Sequence, residues 1–83
     1  MYRLVIDRYA QKQLSKIPPP FFNRITKAIF NLANDPRPPG YKKLTGRPGY
    51  RIRIGDYRVI YNIEDKILTV IVIDIGNRKD IYD

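Results

Sequence analysis

The chain has 83 residues, with sixteen Lys and Arg against eight Asp and Glu, and so a net charge of +8. It contains neither cysteine nor histidine, which excludes disulfides, thiolate nucleophiles, thiolate or imidazole metal sites and histidine acid–base catalysis. Its length suits a single domain over residues 1–83, and 43% hydrophobic residues are enough for one core. No apolar run approaches the roughly 20 residues of a membrane span, so we expect a soluble, cytoplasmic protein.

The first half of the chain predicts one strand and two helices. Residues 2–6 (YRLVI) are typical of a short strand, and Asp7 is a candidate N-cap for a helix over residues 8–17. Three prolines at 18–20 end that helix, because proline lacks an N–H donor and disfavours helix in the preceding residue. A second helix then runs from Pro20 to about Asn34. Its apolar stripe consists of Phe22, Ile25, Ile29 and Leu32.

The second half predicts a sheet. Residues 35–40 (DPRPPG) form a stiff connector, and residues 41–49 form a basic loop with room for a short strand. Residues 50–54 and 57–63 alternate polar and apolar side chains around Gly55-Asp56, which suits a type II′ hairpin turn. A turn at residues 64–66 leads to a continuous apolar strand over residues 67–75. The predicted fold is α+β in the order β-α-α-β-β-β, with a helical hairpin packed on a small, mostly antiparallel sheet.

The positive charge is concentrated in the middle of the chain. Residues 36–61 carry seven basic side chains and one acidic side chain, a local charge of +6. The two-residue turn fixes a register in which Arg51, Arg53 and Arg58 share the face away from the core, with Arg53 directly opposite Arg58. Like charges in that position destabilise a sheet, whereas several guanidiniums can neutralise a bound phosphodiester. The pattern favours a polyanionic partner, RNA or DNA, over arginines that only cover the sheet with their stems.

Two residues near the end of the chain extend this hypothesis. Arg78 follows a glycine after the last predicted strand, where its side chain can lean over the sheet. Tyr82 could stack on a base or transfer a proton, although a terminal aromatic that plugs the core is an equally good interpretation. The carboxylates are scattered over caps, turns and chain ends, so we expect neither a metal site nor a cofactor.

Two segments together carry a resemblance to a known family. KKLTGRPGYRIRIGDYRVIY (residues 42–61) and IGNRKDIY (residues 75–82) resemble the RelE/ParE toxin superfamily of type II toxin–antitoxin systems. The resemblance implies a metal-independent, ribosome-dependent endoribonuclease, an mRNA interferase of the RelE branch. Such a toxin inhibits translation by cutting mRNA in the ribosomal A site, where a ribose 2′-hydroxyl attacks the adjacent phosphate and leaves a 2′,3′-cyclic phosphate. The catalytic positions it implies are Arg51, Arg53, Arg58, Arg78 and Tyr82. Neighbouring basic residues are candidate RNA contacts, namely Lys42, Lys43, Arg47 and Lys79.

The chain departs from the family pattern at the first hairpin strand. Arg51 and Arg53 stand where better-known ribonuclease members carry lysines, one of which is assigned the proton-transfer role. Arginine remains protonated and is a poor general base, whereas the pKa of a lysine can fall in a cationic cluster. Either catalysis rests on charge neutralisation and substrate orientation, or Lys42, Lys43 or Tyr82 moves the proton.

The resemblance also implies partners. We expect a cognate, RelB-like and partly acidic antitoxin, together with the ribosome and its mRNA, and contact with operator DNA only through the toxin–antitoxin complex. Two other functions stay open. One is a non-catalytic, ParE-like inhibitor of DNA gyrase, although that branch generally lacks this arginine and tyrosine set. The other is an inactive member that only binds nucleic acid.

Overall fold

A computed structural model describes residues 1–77, in which two helices pack on one face of a five-stranded sheet. The strands are β1 (Arg3–Ile6), β2 (Lys42–Lys43), β3 (Tyr50–Ile54), β4 (Tyr57–Glu64) and β5 (Thr69–Asn77). The helices are α1 (Arg8–Ser15) and α2 (Phe21–Asn31). The predicted α+β class and element order are confirmed, and the basic loop supplies the two-residue strand β2.

The sheet is mixed, in the strand order β1-β5-β4-β3-β2. β1 lies parallel to β5, whereas β2, β3, β4 and β5 pair antiparallel with their neighbours. Both helices therefore lie in the connection that carries the chain from β1 at one edge to β2 at the other. This topology brings the β3–β4 hairpin beside the C-terminal half of β5.

Local sequence explains both helices. The Asp7 carboxylate accepts a hydrogen bond from the Ala10 N–H over 2.8 Å, so Asp7 caps α1 as predicted. Ala10 is fully buried and faces the core, while the neighbouring Tyr9 is 62% exposed. Each helix ends two or three residues earlier than the sequence predicts. In residues 1–77 neither helix is long and apolar enough to cross a membrane.

The core lies between the helices and one face of the sheet. The α2 stripe buries Ile25, Ile29 and Leu32 completely, at the spacing that the sequence predicts. Sheet residues that meet the helices across this core include Ile52, Ile54, Val59, Tyr61, Val70, Val72 and Ile75. Burial of these apolar side chains is the main stabilising contribution, at about 1.5–3 kcal/mol for each fully buried one.

The predicted start of the last strand is wrong by two residues. A 3₁₀ turn spans Asp65–Ile67, and Leu68 has a φ of +47° in the left-handed region. Ile67 and Leu68 are 67% and 53% exposed, so the strand begins only at Thr69. The apolar run at residues 67–75 predicts a strand, but apolar residues alone do not show that the first two belong to the preceding turn. At its other end β5 continues through Gly76 and Asn77, because these residues still pair with Arg58 and Tyr57.

Candidate nucleic-acid interface

The β3–β4 hairpin places its arginines on the face of the sheet that is opposite the helices, here called the outer face. Gly55 has a φ of +60° whereas Asp56 does not have a positive φ, as a type II′ turn requires. The turn pairs Ile54 with Tyr57 and Arg53 with Arg58, which confirms the predicted register. Arg53 and Arg58 therefore project side by side, with Cβ atoms about 5 Å apart by strand geometry.

The three arginines of the outer face differ in accessibility. Arg53 is exposed and Arg58 is half-buried, but Arg51 is only 5% exposed. The alternation of β3 predicts that they share a face and does not predict this difference. A ligand can therefore reach Arg53 and Arg58, whereas the Arg51 side chain is buried.

A small apolar cluster lies on the outer face near Arg51. Leu44, which follows β2, packs on Ile60, and Ile73 lies against both. Ile60 is the register partner of Arg51 on β4 and is completely buried.

Basic side chains continue from the arginines to the edge of the sheet. Lys42 is the register partner of Arg51, so it lies on the same side of the sheet, and Lys43 pairs with Tyr50, whose side chain faces the core. Lys42, Lys43 and Arg47 are all exposed. Of the two lysines proposed for proton transfer, Lys42 is the one on the outer face.

On the other side of the hairpin, β5 presents no side chain next to Arg58. The register partner of Arg58 is Gly76, which has no side chain. The row of side chains formed by Arg53 and Arg58 therefore does not continue onto β5 at this register position. The described part of β5 ends at Asn77. Arg78, Lys79 and Tyr82, which the sequence analysis includes in the site, lie outside the described residues.

Of the described carboxylates, Asp56 lies in the turn that joins Arg53 to Arg58, whereas Asp65 and Asp74 have partners elsewhere. In residues 1–77 the ion pair is Arg37–Asp65, at 3.0 Å, and Asp65 follows the far end of β4, about 20 Å of strand from Arg58. Asp74 accepts a hydrogen bond from Gln13 Nε2 over 2.7 Å, and Gln13 Oε1 accepts one from the Ile75 N–H over 2.6 Å. Asp74 is therefore held by a side chain of α1. Nor does the described part of the chain bring three Asp or Glu side chains together as a metal site.

Sequence reasoning missed a polar network at the far end of β4. Asp65 accepts hydrogen bonds from Arg37 and from the Tyr2 hydroxyl, the latter over 2.6 Å. Arg37 first, and then Tyr2, hold the pKa of Asp65 below its ordinary value, while the bond to Asp65 raises the pKa of Tyr2. Arg37 also lies 5.6 Å from the centre of the Tyr50 ring. The Asp-Pro-Arg connector is the sequence feature that contains Arg37, but nothing in it points to a partner 28 residues away.

Residues 4–82 match the family model described as the ParE toxin of the type II toxin–antitoxin system parDE. A curated relative, Toxin RelG of Mycobacterium tuberculosis, is 31% identical over 85 residues, which cover 98% of this chain and 95% of the relative.

Solved toxin–antitoxin complexes have the same fold. The intact Escherichia coli RelBE complex matches with a TM-score of 0.80 and 29% identity, over 93% of this chain and 96% of the matched chain. The archaeal RelE–RelB complex from Pyrococcus horikoshii matches with a TM-score of 0.82 and 30% identity, over 93% and 94% of the two chains.

Proposed function

This chain belongs to the RelE/ParE superfamily of type II toxin–antitoxin toxins, and we propose that it cuts mRNA in the A site of the ribosome and thereby stops translation. The observation that carries the proposal is the direct opposition of Arg53 and Arg58 on the outer face. A sheet gains nothing from two guanidiniums in facing positions, whereas a phosphodiester placed between them gains several charge-assisted hydrogen bonds. The names of the RelE and RelG relatives support the same branch.

The proposed reaction is an internal phosphoryl transfer within the RNA. The 2′-oxygen loses its proton and bonds to the adjacent phosphorus, the bond from phosphorus to the 5′-oxygen of the next nucleotide breaks, and that oxygen takes up a proton. The products are a 2′,3′-cyclic phosphate and a 5′-hydroxyl. Negative charge grows on the non-bridging oxygens in the transition state, and in this proposal Arg53 and Arg58 stabilise it without a metal ion.

Proton transfer has a separate assignment. Arginine stays protonated, so Arg51, Arg53 and Arg58 act through charge and hydrogen bonds alone. Lys42 is our candidate proton acceptor in the described part of the chain, because it lies on the outer face beside Arg51. In this proposal Arg78 joins the guanidinium set, as the resemblance to the RelE branch implies. Tyr82 stacks on a base, and Lys43, Arg47 and Lys79 contact the RNA backbone.

We propose a RelB-like antitoxin as the physiological partner, by similarity to the RelE–RelB complexes of Escherichia coli and Pyrococcus horikoshii. An acidic segment of that partner would neutralise the arginines of the outer face and block access to mRNA. Operator DNA would be contacted through the toxin–antitoxin complex.

The matched ParE family model favours a second candidate, a toxin that inhibits DNA gyrase without catalysis. Supercoiling by purified gyrase separates the two functions. If the chain is a ribonuclease, supercoiling should be unchanged at toxin concentrations that arrest translation. Inhibition of gyrase at those concentrations would replace the ribonuclease proposal with the gyrase one.

A growth assay tests the proposal in cells. Induction of the wild-type chain without antitoxin should arrest growth, and Arg58→Ala or Arg78→Ala should abolish the arrest. Arg8→Ala is the matched control, because Arg8 is an exposed residue of α1 outside the outer face. Arrest that persists in both Arg58→Ala and Arg78→Ala, at equal protein levels, would refute the role of the arginines.

A further inference from the structure

A basic groove separates α2 from the β3–β4 hairpin, on the side of the molecule where β3 extends beyond β2. It has a volume of about 670 Å³, and we call it the α2–hairpin groove. Its hairpin wall contains Arg53, Ile54 and Gly55. Its helical wall contains Arg24, Lys27, Ala28, Phe30, Asn31 and Asn34. Arg53 belongs both to the groove and to the outer face, so the two surfaces are continuous.

The charge of the groove has one sign. Arg24, Lys27 and Arg53 contribute three positive charges, and the described residues that line the groove include no carboxylate. Within residues 1–77 neither Arg24 nor Lys27 forms an ion pair. Arg24, Lys27 and Asn31 follow each other at intervals of three and four residues, which places them on one side of α2, away from its buried stripe. Among the described residues, Arg24 and Lys27 thus face Arg53 across the groove without a carboxylate beside them.

An aromatic side chain lies within this basic groove. Phe30 is 59% exposed, although the neighbouring Ile29 and Leu32 of the same helix end are completely buried. An exposed phenylalanine makes little contribution to the core, but its ring is a surface on which a nucleobase can stack. Cations that hold a backbone and an aromatic ring that holds a base form the usual combination for binding single-stranded nucleic acid.

We propose that the α2–hairpin groove binds single-stranded RNA that flanks the nucleotide held by Arg53 and Arg58, with Arg24 and Lys27 on phosphates and Phe30 stacked on a base. The asparagines Asn31 and Asn34 supply neutral donors and acceptors along the same wall. The inference rests on the proposed function for the identity of its ligand. It adds a contact that lies on α2, outside the β3–β4 hairpin that carries the reaction.

Binding of a free oligonucleotide tests the groove without ribosomes. The probe is a fluorescein-labelled octauridine RNA, titrated with the full chain by fluorescence anisotropy at several KCl concentrations. Arg24→Gln and Lys27→Gln should each reduce the slope of log K against log salt by about 0.7, the value for one lost phosphate contact on a single strand. Phe30→Leu should weaken binding roughly tenfold while leaving the slope unchanged, and Phe30→Tyr should restore the affinity.

The control is Arg8→Gln, which makes the same charge change on an exposed site of α1 outside the groove. The inference is overturned if Arg8→Gln lowers the salt slope as much as Lys27→Gln, because the effect is then one of net charge alone. It is also overturned if the wild-type chain does not bind octauridine at low salt, or if Phe30→Leu binds with wild-type affinity. The inference is overturned too if the Arg24, Lys27 and Phe30 variants weaken only the complex with the antitoxin, because the groove would then bind a protein partner instead of RNA.

The failure of the groove and the failure of the enzyme are distinguishable. If the protein cleaves mRNA on ribosomes and all groove variants bind octauridine with wild-type affinity, the groove proposal fails and the proposed function stands. If the groove variants lose octauridine binding but the wild-type protein never cleaves mRNA, the ribonuclease proposal fails and the groove proposal stands. Duplex RNA in place of octauridine should bind without dependence on Phe30, since paired bases cannot stack on the ring.

Discussion

Arg53 and Arg58 occupy directly opposite positions in the β3–β4 register, one exposed and the other half-buried. Facing like charges cost a sheet about 0.2–1 kcal/mol of stability. The tight Gly55-Asp56 turn enforces the pair, and the register partner of Arg58 on β5 is Gly76, which has no side chain. Two facing guanidiniums that folding alone disfavours can both donate charge-assisted hydrogen bonds to a phosphate, which is why the proposed function rests on this pair.

The geometry of the guanidinium at Arg58 is the first property to test. Arg58→Lys keeps the charge but removes the planar fork of donors, so we expect mRNA cleavage to slow by about 10²- to 10³-fold. Single-turnover cleavage on programmed ribosomes gives the rate, and Arg8→Lys on α1 serves as the control. Cleavage by Arg58→Lys at the wild-type rate would mean that a point charge suffices at this position.

The role of Lys42 in proton transfer is the second property to test. Lys42→Arg preserves the charge beside Arg51 but removes the group that can release and accept a proton, and we expect cleavage to fall by about 10²- to 10⁴-fold. Binding of octauridine should stay within about twofold of wild type, because the number of positive charges is unchanged. Lys12→Arg on α1 is the matched variant. If Lys42→Arg cleaves normally, another group moves the proton, and Tyr82 is then the residue to change.

The buried hydroxyl of Tyr61 makes a prediction about stability. Tyr61 is completely buried, and its hydroxyl donates to the carbonyl oxygen of Pro36 over 2.7 Å. Tyr61→Phe leaves that carbonyl without its donor, so we expect a loss of about 1–3 kcal/mol in the free energy of unfolding, measured with urea. Tyr41→Phe is the control, because Tyr41 is 37% exposed. Equal stability of the two variants would show that Pro36 finds another partner.

The Arg37–Asp65 pair predicts a pH dependence. The pKa of Asp65 is lowered in the folded chain by Arg37 and Tyr2, so the unfolded chain binds the proton more tightly. The stabilising contribution of Asp65 is therefore present above its ordinary pKa of 3.8 and is lost as the pH falls below it. Urea unfolding should show Asp65→Asn less stable than wild type at pH 7, with the difference shrinking toward pH 2.5. Glu64→Gln, at the adjacent exposed position, should show no such convergence.

Elements whose geometry follows from neighbouring residues could be predicted from the sequence. The Asp7 cap, the α2 stripe and the hairpin register belong to this group, because a two-residue turn leaves only one pairing of Arg53. Features that depend on distant residues could not be predicted. The alternation along β3 does not reveal that Arg51 is buried while Arg53 is exposed, and the position of Arg37 depends on Asp65. The start of β5 was misplaced because Ile67 and Leu68 are apolar but belong to a turn.

Primer extension on a defined mRNA, incubated with the purified chain with and without programmed ribosomes, tests the central claim most directly. We predict cuts that appear only when ribosomes are present, that keep codon phase at the A site, and that leave a 2′,3′-cyclic phosphate. Arg58→Ala should give none of these cuts. An intact mRNA after incubation of the folded wild-type chain with ribosomes would contradict the account, and the outer face would then be a surface that binds without cutting.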